Sequence, residues 1–424
     1  IAPARSAGPQ TLMALQVYNT RTRRKEVFEP REGDHVRMYV CGPTTYDYSH
    51  LGHSKSYVSF DTVRRYLEYL GRSVTFVQNF TDVEEVIIRR AAQVGKAPLE
   101  YAQFYINAFL EDMRSLNVRP ATFNPKVSEH IPEIQEVIRL LIEHGFAYAV
   151  GVDVYFRTRK AKHSFGILAH HKIESIVVDP LPPGSKREDP LDFALWKESR
   201  EGEPSWPSPW GSGRPGWHVE CNAMAFKYLG APLDIHGGGS DLKFPHHESE
   251  AMICEGAWGL EWTRTWMHNG FLTLEQDKMS KSLGNFVTIR AILADYPGEV
   301  VRLCLLKGHY REDVEYDKDC FRRTQEEYEA MRAAMTAASI ANGPGTGGNV
   351  AALLTATRAS FLAAMDDDFN TPDAIYRLQQ LTEALRDLRG VSREEGRKLA
   401  ALYSELGGIL GLFVEPDAPG AGST

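Results

Sequence analysis

The chain has 424 residues, 43% hydrophobic and 25% charged, which is ordinary for a globular protein and enough for about two to four domains. A formal net charge of −8 excludes nucleic-acid binding through bulk charge, so any such contact needs local basic patches. The absence of an apolar run of membrane-spanning length, of a signal-peptide pattern and of an even cysteine count predicts a cytoplasmic protein without a disulfide framework.

A strand, a loop, a helix and a second strand follow one another near the start of the chain. Alternating apolar residues predict a strand over His35–Val40, and apolar residues at spacings of three and four predict a helix over 54–70. Residues 73–79 return to a strand pattern. This order is typical of a right-handed βαβ unit, which binds ligands at the carboxyl ends of its strands.

The loop of this unit carries the string His50-Leu51-Gly52-His53 just before the predicted helix. Backbone N–H groups and the helix dipole favour anions there, and Gly52 allows a nucleotide to approach closely. His50 and His53 can donate hydrogen bonds to phosphate oxygens in a transition state. On these four residues alone, a capped helix with two solvated histidines is the stronger interpretation.

A second string, Lys278-Met279-Ser280-Lys281-Ser282, lies in a stretch without periodicity at 276–285. Its two lysines are point charges on flexible stems, suited to a triphosphate and to departing pyrophosphate. A solvated surface loop is the alternative.

Two cysteines and a short segment that contains histidine and glutamate form a candidate metal site. Cys41 ends the first strand, Cys221 follows far downstream, and Pro245 can start a helix on which His246 and Glu250 face the same way. Two thiolates, an imidazole and a carboxylate would suit zinc. No cysteine pair has local metal-binding spacing, so buried cysteines beside a surface His/Glu pair stand as the alternative.

Taken together, the two strings resemble the paired signatures of class I aminoacyl-tRNA synthetases. Similarity to the cysteinyl-tRNA synthetase family spans roughly 15–314 and is carried by segments 38–53, 79–82, 192–197, 216–221, 234–241, 244–250 and 278–285. The resemblance implies that L-cysteine is activated with ATP to cysteinyl-adenylate and then transferred to tRNA(Cys).

The resemblance also implies roles for individual residues. Those implied for ATP are His50, Gly52, His53, Gly238, Asp241, Lys278 and Lys281, and His50, His53, Lys278 and Lys281 are the catalytic set. Those implied for the amino acid are Thr81, Trp217 and His236, and those for one zinc ion are Cys41, Cys221, His246 and Glu250, with His246 chosen over His247. Zinc would select a thiol over a hydroxyl, and magnesium would accompany ATP.

We expect an α/β fold with a doubly wound, Rossmann-like parallel-sheet catalytic domain and an α-helical C-terminal domain. The expected parts are a catalytic first half at 12–130, an insertion at 131–204, a second half at 205–275, a connector with the lysine string at 276–325 and a helical bundle at 350–413. In the bundle, Arg386, Arg389, Arg393 and Arg397 are either a tRNA-facing stripe or a solvated face.

Two departures from the family keep other functions open. Glu84, Glu85 and Val86 stand where the family usually has two aspartates and a lysine, and the sequence ends without the usual small anticodon-reading module. We therefore keep two alternatives: an ATP-dependent cysteine ligase that acts on a small-molecule amine, as in mycothiol biosynthesis, and a catalytically silent binding protein. If the chain is the synthetase, we expect it to be a monomer that does not bind membranes.

Overall fold

The structure is a computed structural model that describes residues 14–170, 179–274, 277–278, 287–316, 318–387 and 389–414. Its strands are β1 (Gln16–Asn19), β2 (Arg24–Val27), β3 (His35–Val40), β4 (Ser73–Gln78), β5 (Ala147–Val150), β6 (Asp153–Phe156), β7 (Phe193–Glu198), β8 (Gly213–Pro215), β9 (Leu233–Gly239), β10 (Thr263–Asn269), β11 (Leu272–Leu274), β12 (Asp277–Lys278) and β13 (Val314–Tyr316). Its helices are α1 (Leu51–Tyr69), α2 (Glu85–Gln93), α3 (Pro98–Ser115), α4 (Ile131–Glu143), α5 (Trp217–Leu229), α6 (His246–Trp258), α7 (Ile289–Leu293), α8 (Gly298–Leu306), α9 (Lys318–Ser339), α10 (Asn349–Asp366), α11 (Thr371–Asp387) and α12 (Arg393–Ile409).

The central sheet is parallel, with the strand order β10–β9–β3–β4. From β3 the chain crosses to β4 on one side and later returns to β9 and β10 on the other. The order thus reverses between β3 and β9, and in open α/β sheets the crevice at such a switch point binds ligands. The predicted α/β fold class with a doubly wound sheet is confirmed.

Both faces of this sheet are covered, because alternate side chains of β3 enter different cores. Val36, Met38 and Val40 pack with α1 residues in the largest core. Tyr39 and Cys41 pack on the other face against residues of α5 and α6. Cys41 therefore leaves the sheet on the α5/α6 side.

The predicted strand over His35–Val40 is confirmed, and the second strand ends one residue earlier than expected, at Gln78. The helix begins at Leu51, three residues before the predicted start, because the backbone N–H of Leu51 donates to the carbonyl of Val287 and anchors the first turn. As a result, His53 lies in the first turn of α1 and His50 is its N-cap residue.

The segment between β4 and β9 contains an antiparallel sheet with the order β5–β6–β7–β8. Strand β8 passes into α5 through Gly216 alone, since β8 ends at Pro215 and α5 begins at Trp217. A side chain at Gly216 would place its Cβ 2.0 Å from the carbonyl oxygen of Ala194. Only glycine fits at this position. The one-residue connection places α5 on the α5/α6 face of the parallel sheet.

Helices α9 to α12 pack into a bundle at the C-terminal end of the described chain. The four arginines considered as one stripe do not share a helix. Arg386 lies in α11, Arg389 lies in the connection where Gly390 adopts a φ of 77°, and Arg393 and Arg397 lie in α12. Among the described residues, no helix combines the length and apolar character that a bilayer crossing requires.

A buried ion pair joins α1, α8 and the end of the bundle. The guanidinium of Arg302 donates to Asp61 Oδ2 at 2.6 Å and to the carbonyl of Leu410 at 2.5 Å, and both charged side chains are buried. Burial opposes ionisation of Asp61, but Arg302 and Arg65 outweigh it and lower its pKa to about 2.

Replacement of Arg302 by Met should therefore lower the free energy of unfolding by about 3 kcal/mol, because it leaves the Asp61 charge buried with fewer partners. Urea unfolding followed by circular dichroism measures the change. Arg139→Met is the matched control, since Arg139 forms its ion pairs with Glu136 and Glu143 on the exposed face of α4. Equal unfolding midpoints for the two variants would show that the buried pair does not stabilise the fold.

Candidate active site and metal centre

A cavity of about 350 Å³ opens at the carboxyl ends of the central strands, at the switch point. The sequence-predicted residues that line it are Cys41, His50, Gly52, His53, Thr81, Trp217, Cys221, Asp241 and His246. Segments far apart in the sequence thus reach one cleft, with the cysteines at one end and the α1 N-terminus at another.

The cysteine end holds four buried ligand-type side chains. Cys41 Sγ lies 3.8 Å from Cys221 Sγ and 3.5 Å from Glu250 Oε1, Cys221 Sγ lies 3.5 Å from His246 Nε2, and His246 Nε2 lies 3.1 Å from Glu250 Oε1. The alternative of a surface His/Glu pair does not fit, because His246 and Glu250 are both buried.

These separations are close to the edge lengths of a tetrahedron around one metal ion. Zinc bonds of about 2.3 Å to sulfur and about 2.0–2.1 Å to nitrogen or oxygen place the ligand atoms about 3.3–3.8 Å apart at tetrahedral angles. Four of the six separations run from 3.1 to 3.8 Å, with the His246–Glu250 contact slightly shorter than the ideal range, and all four ligand atoms lie within 4.8 Å of one another. The donor set of two sulfurs, one nitrogen and one oxygen therefore fits zinc.

The carboxylate of Glu250 is oriented by two donors behind the cluster. His236 Nε2 lies 2.8 Å from Glu250 Oε2, and the indole N–H of Trp262 donates to the same oxygen at 2.9 Å. The other oxygen, Oε1, is left facing Cys41 and His246. His236 lies behind Glu250, with its second ring nitrogen 3.2 Å from the carbonyl of Tyr39, and its contact with the amino acid stays a prediction.

His246 is oriented in the same way. Its Nδ1 lies 2.9 Å from Nδ1 of His218, which directs Nε2 toward Cys221. Trp217 stacks on the His246 ring with a centroid distance of 4.4 Å, and it forms part of the cavity wall. Outer partners of this kind fix the ring orientation and tautomer of a metal-binding histidine.

The cluster is charged even before a metal binds. A hydrogen bond from Cys41 lowers the pKa of Cys221 to about 6, whereas burial raises the pKa of Cys41 well above its usual value. Burial disfavours the charged form of His246, but Cys221 and Glu250 raise its pKa to about 10. A divalent cation that takes these four ligands would release the protons of Cys41 and His246.

A second set of four buried residues overlaps the first: Cys41, His236, His247 and Glu250. His247 Nε2 lies 3.3 Å from Cys41 Sγ, and its Nδ1 lies 2.8 Å from Nε2 of His268. The first set contains two thiolates, which zinc favours, and three of its members line the cavity, whereas only Cys41 of the second set does. The first set is therefore the better candidate site.

The opposite end of the cavity is the N-terminus of α1. His50 and His53 stack with ring centroids 3.7 Å apart, and the backbone N–H of His50 donates to Nδ1 of His53 at 3.3 Å. Because Nδ1 accepts, the proton of a neutral His53 ring sits on Nε2, where it serves as a donor. This places histidine donors and a helix dipole at one wall.

The glycine run of β9 has a structural role. Added Cβ atoms at Gly237 and Gly238 would lie 2.3 Å from the Phe60 ring and 2.9 Å from the His247 ring. Gly239 lines the cavity beside Asp241, whereas Gly238 lies beneath it and is not a lining residue. Nucleotide contact at Gly238 stays a prediction.

The lysine string falls mostly outside the described residues. The backbone of Lys278 ends β12, which pairs with β11, but its side chain and all of Lys281 lie outside the description. Their proposed contact with ATP stays a prediction.

Sequence reasoning missed two polar groups in the cavity wall. The side-chain oxygens Oδ1 of Asn269 and Oγ of Ser240 are buried and have no hydrogen-bond partner among the residues that the structure describes, at the adjacent carboxyl ends of β10 and β9. Buried polar atoms are normally paired, so these two suit a polar ligand. Only the three-dimensional pairing of β9 with β10 reveals them.

The comparisons with known proteins agree with this geometry. A family model described as tRNA synthetases class I (C) catalytic domain matches residues 27–326, and one described as DALR domain matches residues 360–414. A protein of Thermococcus gammatolerans named Cysteine--tRNA ligase is 46% identical over 416 residues, which cover 95% of this chain and 87% of its own. One of Desulfitobacterium hafniense with the same name is 45% identical, with coverages of 94% and 86%.

A solved structure supports the fold alone. Mycobacterium tuberculosis methionyl-tRNA synthetase in complex with methionyl-adenylate aligns with a TM-score of 0.64 at 16% identity, covering 89% of this chain and 90% of that chain. The matched model spans well over half of the sequence, and the relatives match nearly all of it. The chain therefore belongs to the class I cysteinyl-tRNA synthetase family and is an aminoacyl-tRNA synthetase, an enzyme of the ligase class.

Proposed function

We propose that this enzyme activates L-cysteine with ATP and transfers the cysteinyl group to tRNA(Cys), and that a zinc ion held by Cys41, Cys221, His246 and Glu250 selects the substrate thiol. The observation that carries the proposal is that a buried cluster fit for zinc shares one cavity with the histidines at the α1 N-terminus. The relatives named Cysteine--tRNA ligase match 94–96% of the chain in several organisms, which supports the choice of substrates.

The metal cluster accounts for selection of cysteine over serine. Zinc, when bound, favours a deprotonated sulfur ligand, whereas the hydroxyl of serine stays protonated and ligates poorly. A purely apolar pocket would separate two such small side chains by only about 1–3 kcal/mol. Thr81 and Trp217 flank the cluster on the cavity wall, where they would enclose the rest of the amino acid.

The other end of the cavity accounts for activation. The carboxylate of cysteine attacks the α-phosphorus of ATP, and the bond to pyrophosphate breaks. His50 and His53 would donate to the phosphate oxygens as negative charge develops, and Lys278 and Lys281 would neutralise the departing pyrophosphate. The terminal hydroxyl of tRNA then attacks the acyl carbon and releases AMP. The residues act by positioning and electrostatics.

The buried oxygens of Asn269 and Ser240, together with exposed Asp241, would hold the nucleoside part of ATP between the two ends. Magnesium with ATP, a monomeric state and a cytoplasmic location belong to the same proposal. Two alternatives remain: a ligase that joins cysteine to a small amine, and a silent binding protein. The first experiment below distinguishes both from the proposed synthetase.

We expect amino-acid-dependent exchange of pyrophosphate into ATP with cysteine and, at most, at background level with serine. We further expect charging of a tRNA(Cys) transcript. Exchange with cysteine but no charging would indicate a small-amine acceptor, and no exchange would indicate a silent protein. Equal exchange with cysteine and serine would contradict selection through sulfur.

The change Cys221→Ser should raise the KM for cysteine about 100-fold or more while the KM for ATP changes little, because it removes one zinc ligand from the amino-acid end only. Pyrophosphate exchange measures both constants, and metal analysis should show a loss of zinc. Cys254→Ser is the matched control. Cys254 is buried, as Cys221 is, but it lies on α6 and contacts the carbonyl of Leu260. Equal loss of affinity for both substrates would indicate a folding defect instead.

The change Trp262→Phe removes the N–H that holds Glu250 Oε2 and keeps an aromatic ring in place. We expect zinc affinity, measured by competition with a chelator, to fall about 10–100-fold. Trp196→Phe is the control, because Trp196 is likewise buried but packs in a different core, against Trp210. Unchanged affinity in Trp262→Phe would show that the indole does not orient the carboxylate.

A further inference from the structure

Two cysteines that the proposed reaction does not use lie next to each other away from the cavity. Cys304 is in α8 and is buried, whereas Cys320 is near the start of α9 and is partly exposed. Both are reduced thiols that are hydrogen-bonded to each other, with Sγ atoms 2.6 Å apart. Neither lines the cavity, and neither belongs to the metal cluster.

The surrounding contacts hold this pair in place. Helices α8 and α9 pack against each other, and the hydroxyl of Tyr316, at the end of β13, donates to the carbonyl of Cys304 at 3.1 Å. The ring of Tyr316 stacks on Phe321, the residue after Cys320, with centroids 6.0 Å apart. Sulfur atoms 2.6 Å apart need little further approach to reach the disulfide bond length of about 2.0 Å, so the two cysteines are positioned to bond to each other.

Metal binding does not explain the pair. Among the residues that the structure describes, groups of three or more metal-ligating side chains occur only around Cys41 and Glu250. Two thiols to which the described part of the chain adds no third ligand are a poor zinc site, whereas two adjacent thiols suit oxidation to a disulfide.

We propose that Cys304 and Cys320 are an oxidative modification site, at which a small-molecule disulfide converts the two thiols into an α8–α9 disulfide. In the first step the Cys320 thiolate attacks one sulfur of the disulfide RSSR; its S–S bond breaks, one RSH leaves after protonation, and a Cys320–SR mixed disulfide forms. In the second step Cys304 loses its proton to solvent and attacks Cys320 Sγ, releasing the second RSH. The two protein thiols lose two electrons, and RSSR gains them.

The order of the steps follows from exposure. Cys320 is accessible to a dissolved disulfide, and Cys304 is not. The hydrogen bond to Cys320, together with burial, raises the pKa of Cys304, which keeps it protonated until the mixed disulfide forms beside it. Cys320 is therefore the attacking thiol and Cys304 the resolving thiol.

The product would link two parts of the molecule. Helix α8 packs on α1, whose first turn carries the cavity histidines, and α9 belongs to the C-terminal bundle. The bond would close a loop of 16 residues that contains β13. Such a cross-link restricts the unfolded chain, so the oxidised protein should unfold at a temperature about 5 °C higher than the reduced one.

The test uses the zinc-loaded full chain incubated with oxidised glutathione. We expect the wild type to lose two thiols and to yield, in non-reducing peptide mapping, one cross-linked peptide pair that contains Cys304 and Cys320. Cys304→Ser should instead accumulate one glutathionyl group on Cys320, and Cys320→Ser should keep its one remaining thiol of the pair, Cys304, reduced. Cys254→Ser is the matched control and should behave as the wild type does.

Several results would overturn the proposal. The wild type could keep both thiols, or the reaction could stop at glutathionylated Cys320. A cross-link could also form at Cys41 or Cys221 while Cys304 stays reduced. A cross-linked protein with an unchanged unfolding temperature would overturn the stabilising role. The peptide map of the wild type decides the chemistry even if a variant folds poorly.

Discussion

The two carboxylate oxygens of Glu250 have different partners, and this difference determines how the rest of the site is arranged. A buried carboxylate is costly unless it is hydrogen-bonded, and His236 and Trp262 supply that stabilisation at Oε2. Contacts from His236 and His246 outweigh the effect of burial and hold the pKa of Glu250 well below its usual value. The second oxygen, Oε1, faces Cys41 and His246.

The same arrangement explains why the site lies where it does. Cys41 leaves β3 on one face of the sheet, and α5 and α6 bring Cys221, His246 and Glu250 to that face. The α1 N-terminus reaches the cleft from the opposite face through the switch between β3 and β9. One reversal of strand order therefore brings the candidate metal cluster and the α1 N-terminus to the same cavity.

Much of this could be predicted from local patterns. Apolar spacing located β3, α1 and β4 within a few residues, and Pro245 with the four-residue spacing of His246 and Glu250 located the start and one face of α6. The early start of α1 could not be predicted, because it depends on the carbonyl of Val287, far away in the sequence. For the same reason, the contacts of Trp262, His218 and Asn269 have no local sequence signal. The place of His236 behind Glu250 likewise depends on packing between β9 and α6.

The one-residue connection at Gly216 limits which substitutions this enzyme can tolerate. Since α5 starts one residue after β8, the antiparallel sheet and the helix that carries Trp217 and Cys221 share a rigid joint with no linker to absorb movement. A substitution that tilted β7 or β8 would displace a metal ligand and a cavity wall at once. Natural variation in the inserted sheet should therefore be tolerated at its far loops and resisted along the edge that adjoins Ala194.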